Sequence, residues 1–212
     1  MISMQDILQT IVNSLPTIGR YALVTIGIVL IFRTTATTNF AQGLIATFGT
    51  FVVTWASLTY TALPLWLCLL LGMAAAFALG MFVDVALIRR ARRITPAGKQ
   101  MITMGVMMIL VNVTPVLFRD ITLWTRPGKS FSTAIISFQL FGYTLNITEM
   151  GLLAFVLAAI VLSLVFAALK FTKWGLGVRA TAANENVAQM LGVNTRVITA
   201  FSWALAGALA SL

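Results

Sequence analysis

Apolar runs long or nearly long enough to cross a bilayer alternate along this chain with short polar stretches. About six are distinguishable, judged against the roughly 20 residues that a helix rising 1.5 Å per residue needs to span the hydrocarbon. They cover 18–32, 44–63, 65–88, 101–118, 151–169 and 197–212. Pro16 and Arg20 stand near the start of the first run and Arg33 closes it. Pro64 separates the second run from the third, which predicts a tight antiparallel pair, and Arg89-Arg90-Ala91-Arg92-Arg93 ends the third. Asn112 and Pro115, a residue with no backbone donor, predict a break in the fourth. The sixth run is still apolar at Leu212 after only about 16 residues, too few to cross comfortably. The chain therefore reads as one transmembrane domain over 1–212, truncated at its C-terminus.

Two of the polar stretches are long. In 119–149, β-branched and aromatic residues lie on both sides of Gly142, from Phe131 to Phe141 and from Tyr143 to Thr148, which predicts a small hairpin outside the bilayer. Within 170–196, the segment from Gly175 to Gly192 is a polar, helix-capable island between apolar runs. Asn184 is placed to cap a helix, Glu185 suits its first turn, and Val187, Met190 and Leu191 share one face. Gly192 ends it. Two readings stay open for this amphipathic helix: it lies at the membrane interface, or it docks into a groove of a soluble subunit with small Ala180, Ala182 and Ala183 permitting close approach. The fold class expected is all-α, a polytopic transmembrane helix bundle carrying a small extracytoplasmic hairpin-like loop and a short cytoplasmic helix.

Composition supports the membrane reading and charge orients it. Hydrophobic residues make up 60% of the chain and charged residues 9%, more apolar surface than a soluble domain of 212 residues can hide. The net charge of +9 is not a nucleic-acid footprint, because 9 of the 14 basic residues lie in 89–99 or 170–196, beside apolar runs. Such segments also favour anionic membrane lipid. Basic loops face the cytoplasm, so 89–99 and 170–196 are expected inside and 119–149 outside. Counting back puts 33–43 inside, unless that moderately polar stretch re-enters the membrane, which backbone buried in protein is allowed to do. Met1 to Leu15 has neither a basic n-region nor a small-residue cleavage pattern, so no removable signal peptide is expected.

The chain contains no His and one Cys, Cys68, inside an apolar run. Within this sequence that removes histidine-based catalysis, disulfide frameworks and thiolate metal clusters. Arg126-Pro-Gly-Lys-Ser130 superficially resembles a phosphate loop, but the first glycine of that motif falls on Leu123, and Pro127-Gly128 is read as a turn. Of the five acids Asp6, Asp84, Asp120, Glu149 and Glu185, only Asp84 lies within an apolar run. It precedes Arg89 by five positions, near the inner end, where water or that basic neighbour accommodates it; a functional intramembrane acid is the alternative. Arg20 is long enough to snorkel to the interface.

Two blocks make the chain similar to a known family, the permease subunits of ABC importers for branched-chain amino acids and related amides. One is Ala22 to Gly49, where an apolar run leads through Ile31-Phe32-Arg33 into Asn39-Phe40-Ala41-Gln42-Gly43. The other is Gly175 to Leu191. The resemblance implies a multi-pass subunit in a bacterial or archaeal cell membrane, the inner one in Gram-negative cells. It implies pairing with a second permease, identical or homologous, with two cytoplasmic ATPase subunits, and with an extracytoplasmic solute-binding protein. ATP would belong to the partner; this chain would hold no cofactor, no metal and no catalytic residue. On the same resemblance, Arg179, Ala182, Ala183, Asn184, Glu185, Val187, Met190, Leu191 and Gly192 would couple to the ATPase, with 182–191 as the coupling helix. Asn39, Phe40, Gln42 and Gly43 would lie by the translocation path, the amides as donors and acceptors and Gly43 for close helix packing; a plain polar turn is the other reading. Gln42 stands where many members have His, and members usually continue past residue 212. The competing class is an ion- or proton-coupled secondary transporter, for which Asp84 is the one candidate coupling group.

Overall fold

The computed structural model describes residues 3–91, 94–119, 134–140 and 142–212. Asp120, the 126–130 segment with its Pro127-Gly128 turn, and the first part of the expected hairpin lie outside the described residues. The described chain is a helix bundle with one hairpin. Its elements are α1 (Met4–Thr35), α2 (Gln42–Thr59), α3 (Leu65–Phe82) continuing into a π-helical turn (Val83–Ile88), α4 (Pro96–Leu117), β1 (Ile135–Leu140), β2 (Tyr143–Thr148), α5 (Glu149–Phe171), α6 (Lys173–Ala183), α7 (Glu185–Met190) and α8 (Thr195–Ala210). Among the described residues, four stretches are long and apolar enough to cross a membrane: α1, α3 with its π turn, α4 and α5. The most apolar of these, α5, has mean hydropathy 3.0 yet is mostly exposed, with Ile160, Leu164 and Phe166 pointing outward. An apolar surface turned away from the protein identifies lipid as its solvent.

Small residues let α8 occupy the centre, against α1, α2 and α3. Its Trp203, Ala204, Ala206 and Gly207 are buried. On α3, Gly72, Ala76 and Gly80 recur every four positions and line one face. A Cβ on Gly80 would sit 2.5 Å from the Trp203 carbonyl oxygen, one on Gly49 would sit 2.5 Å from Ser211 Cβ, and one on Gly207 would overlap the Ala76 carbonyl. Backbones in contact at these seams gain dispersion energy, which is the available driving force where the surroundings are as apolar as the side chains.

α1 starts at Met4, not near residue 18, and runs straight through Pro16. Tertiary partners explain the extension. Gln9 Nε2 donates to the Asn146 carbonyl (2.6 Å), Asn146 N–H donates back to Gln9 Oε1 (2.9 Å), and Gln5 Nε2 reaches the Thr144 carbonyl (3.3 Å). Val12 packs on Leu145 and Ile147. The hairpin thus clasps the first turns of α1, which begin with a capping box between Ser3 and Asp6. Its strands pair antiparallel with Leu140 opposite Tyr143, and Gly142 adopts φ +82°, the left-handed conformation such a turn requires. The break expected in the fourth run is absent. α4 continues through Asn112, whose Nδ2 donates to the Met108 carbonyl four residues back (2.8 Å), and ends two residues after Pro115. Pro115 therefore sits in the last turn; it cannot donate to the Val111 carbonyl, and the helix ends within a turn of it rather than breaking in mid-span.

α1 and α5 run side by side in the same direction, Gly19 lying against Ala158 and Leu23 and Ile26 clustering with Ala158 and Val165. The hairpin marks one end of the bundle. At the other, Arg89 Nη2 donates to the Arg196 carbonyl (2.8 Å), which joins the two basic loops.

Candidate functional site

Residues 36–41 connect α1 to α2 by folding back into the bundle. Ala36 ends α1 at φ 50°, a left-handed conformation uncommon outside glycine, with its N–H donating to the Phe32 carbonyl (2.8 Å). Asn39 Oδ1 then accepts from Ala41 N–H (3.0 Å), Asn39 Nδ2 donates to Gln42 Oε1 (3.1 Å), and Gln42 Nε2 donates to the Ala206 carbonyl (2.8 Å). The Phe40 N–H is taken by Thr103 Oγ1 (3.2 Å). Three helices measure the depth of this loop. Gly27, whose Cβ position would lie 3.0 Å from Gln42 Nε2, precedes the end of α1 by ~12 Å of helix; Ala206 is ~16 Å past the start of α8, and Thr103 ~10 Å past the start of α4. The turn therefore re-enters to membrane depth, where its polar groups survive because they are buried and paired within protein.

Of the four residues expected beside a path, the loop brings Asn39 and Gln42 together and buries both. Their amides bind one another and the backbone. Phe40 is exposed, and Gly43 faces open space with nothing within 4 Å of a Cβ, so among the described residues Gly43 makes no close packing. That role belongs to Gly27. Toward the hairpin end lies a cavity of about 480 Å³ with Thr17, Arg20, Thr50 and Ser211 among its lining.

The second expected constellation forms at the basic end and differs from a single helix over 182–191. Asn184 is extended (φ −163°, ψ 112°) and breaks the segment in two; Ala182 and Ala183 close α6, and α7 holds only Glu185–Met190. The same side chain that breaks the helix starts the next, its Oδ1 accepting from Val187 N–H (3.1 Å). At the far end Gly192, at φ +84°, donates to the Gln189 carbonyl and Val193 N–H donates to the Ala188 carbonyl (2.9 Å), a Schellman closure. Glu185, Gln189 and Thr195 interlock: Gln189 Nε2 donates to Glu185 Oε1 (3.1 Å) and to Thr195 Oγ1 (2.8 Å). This ties α7 to the first residue of α8. Ala188 is buried, whereas Val187, Met190 and Leu191 are 48%, 86% and 77% exposed. Arg179, on α6, is exposed as well.

The model of the family described as branched-chain amino acid transport system / permease component matches residues 10–212. The chain belongs to this family. Among curated proteins, the probable branched-chain amino acid transport permease protein LivH of Methanocaldococcus jannaschii is 29% identical over 199 residues, which are 90% of this chain and 59% of that protein. The chain thus spans less than two thirds of that relative's length. No solved structure matches it.

For a member of this permease family, the basic end of α3 supplies the basic neighbour expected for Asp84, and does so through a π turn that spacing alone did not disclose. The π turn hydrogen-bonds at i→i+5, with Arg89 N–H donating to the Asp84 carbonyl (2.7 Å), and so swings the Arg89 side chain onto buried Asp84, Nη2 to Oδ2 at 3.4 Å. The same guanidinium holds the Arg196 carbonyl. Arg89→Met should lower stability by about 2 kcal/mol, since it takes a guanidinium contact from the buried Asp84 carboxylate and a donor from the Arg196 carbonyl; the Arg89 side chain is 31% exposed, which keeps the cost below that of a fully buried pair. The double variant Arg89→Met/Asp84→Leu should recover most of the loss in a thermal-unfolding assay. Thr103 and Ala206, the other anchors of the re-entrant loop, carry no sequence signal of that role.

Proposed function

We propose that this chain is the membrane subunit of an ATP-driven importer for branched-chain amino acids or similar small neutral solutes, with its basic end in the cytoplasm and α7 as the contact for a separate ATPase. On this reading α2 and α8, which pack along α3, complete a set of six spans, and two permease subunits with an extracytoplasmic solute-binding protein make up the transporter. The observation that carries the proposal is the exposed apolar face made by Val187 and Met190 of the six-residue α7 with Leu191 at its C-cap, a helix closed at both ends. A short helix held by an Asn cap and a Schellman turn moves as a unit, and an apolar face rimmed by polar groups suits insertion into a groove of a soluble subunit.

Displacement of α7 would pass through Gln189 and Thr195 to α8, then through the Ala206 carbonyl to Gln42 and the re-entrant loop. ATP binding in the partner would thereby bias two arrangements of the loop and its helices, alternating access to the path. Arg89 on the Arg196 carbonyl would carry the same motion to α3.

The test is association. Met190→Asp/Leu191→Asp alters two exposed side chains outside the hydrogen-bonded tie and should leave thermal stability unchanged. Affinity for the ATPase subunits of the same transport system should fall at least about tenfold, as expected when central apolar anchors are removed. Unchanged capture of the ATPase by this variant sinks the coupling role of α7. A secondary transporter would capture no ATPase in either form.

A further inference from the structure

Between α1, α5 and the middle of α6 runs an open-sided groove of about 780 Å³, and Arg179 is the one residue of its lining also expected among the ATPase-coupling residues. Its length is apolar, with Ile18 and Val29 on one wall and Leu162 and Phe166 on the other, and Phe166 and Val29 are exposed. Its basic end is different. Arg33 from the last turn of α1, Lys170 from the last turn of α5 and Arg179 from α6 all line it, all three are exposed, and among the described residues no acidic side chain does. Because α1 and α5 run in the same direction, the groove lies along the bundle axis with its cations at the end that carries the basic loops.

We propose that this groove holds one anionic phospholipid, its phosphate between Arg33, Lys170 and Arg179 and an acyl chain along the α1–α5 seam. Charge complementarity selects the occupant. Three cations with no acid among them call for an anion, and guanidinium groups match phosphate oxygens in geometry as well as charge. A soluble anion leaves the apolar length unfilled, and an apolar helix leaves the cations unanswered; an anionic lipid satisfies both. Basic pockets between membrane helices on the inner side are where such headgroups bind. The inference depends on membrane placement and not on the solute or the ATPase. It would make anionic lipid a strut between α1, which carries the re-entrant loop, and α6, which precedes α7.

Native mass spectrometry of the full chain in a neutral detergent tests this by titration with phosphatidylglycerol and phosphatidylcholine of identical acyl chains. One phosphatidylglycerol should be retained at least about tenfold more tightly than phosphatidylcholine, and Arg33→Gln/Lys170→Gln/Arg179→Gln should abolish the difference. Arg179→Gln alone, a change at an exposed position, should weaken it about fivefold. Arg90→Gln/Lys99→Gln, which removes two cations of the other basic loop, should leave it intact. Equal binding of the two lipids overturns the proposal. So does an equal loss in the Arg90/Lys99 control, which would mean diffuse attraction to the basic end, or displacement of the lipid by equimolar inorganic phosphate, which would mean a site for a soluble anion.

Discussion

Gly80→Leu should destabilise the fold by about 3 kcal/mol or more, while Gly105→Ala on α4 should leave stability unchanged to within about 0.5 kcal/mol. At position 80 the first added carbon lands 2.5 Å from the carbonyl oxygen of Trp203 and 3.1 Å from its carbonyl carbon. Those are backbone atoms of the central helix, so relief requires α3 and α8 to separate. Separation opens the rest of the seam, because Gly207 meets the Ala76 carbonyl in the same interface, and it uncovers Trp203, which is almost wholly buried. Overpacking alone costs about 1–3 kcal/mol, and the lost contacts on both helices raise the total to about 3 kcal/mol or more. Nothing lies within 4 Å of a Cβ on Gly105. Size-exclusion profiles and thermal unfolding of the two variants in detergent decide the matter, and a Gly80→Leu protein as stable as the parent would refute the seam.

Gln42→Leu should lower the unfolding temperature by about 6–12 °C, the shift that corresponds to ~3 kcal/mol in a domain of this size. The amide is buried and uses both its ends, accepting from Asn39 and donating to the Ala206 carbonyl. Leucine fills the space but strands the Asn39 amide donor and removes the tie to α8, at about 1–3 kcal/mol for each buried group left unpaired. Gln42→Glu, nearly the same shape, should be worse, since it turns a carboxylate oxygen toward the Ala206 carbonyl at membrane depth. In an assembled transporter both variants should also depress solute uptake. If uptake is lost while the unfolding temperature stays put, Gln42 acts on the solute, and the structural role argued from its hydrogen bonds is wrong.

Local code made part of this architecture readable. Gly142 between two β-branched stretches forecasts a left-handed turn, because few other residues tolerate positive φ there. Asn184 and Gly192 bracket α7 for the same kind of reason: a side chain that accepts from Val187 N–H and a glycine that permits the closing turn act within a few residues of one another. The readings that changed each involve partners far along the chain or backbone geometry outside the ordinary α-helix. The first apolar run begins near residue 18, and it takes the bonds of Gln5 and Gln9 to the Thr144 and Asn146 carbonyls to carry α1 back to Met4. Gly43 sits in the conspicuous motif, yet Gly27, without any flanking signature, is the glycine that meets Gln42. The Asp84 and Arg89 contact, by contrast, is expected from their spacing, and only the π turn that makes it is unannounced by periodicity.

By itself the sequence determined the membrane class, the hairpin, the basic end and the caps of α7, since each follows from how a residue partitions between water and lipid or from how nearby backbone groups satisfy themselves. Only the tertiary structure decided how deep the Asn39–Gln42 loop lies, which glycines form the seams, and that α7 connects through Thr195 and Ala206 to that loop. Among apolar helices no residue is driven inward by water, so choice of neighbour rests on the fit of small side chains and on buried hydrogen bonds made across the fold. That fit exists only when the helices meet.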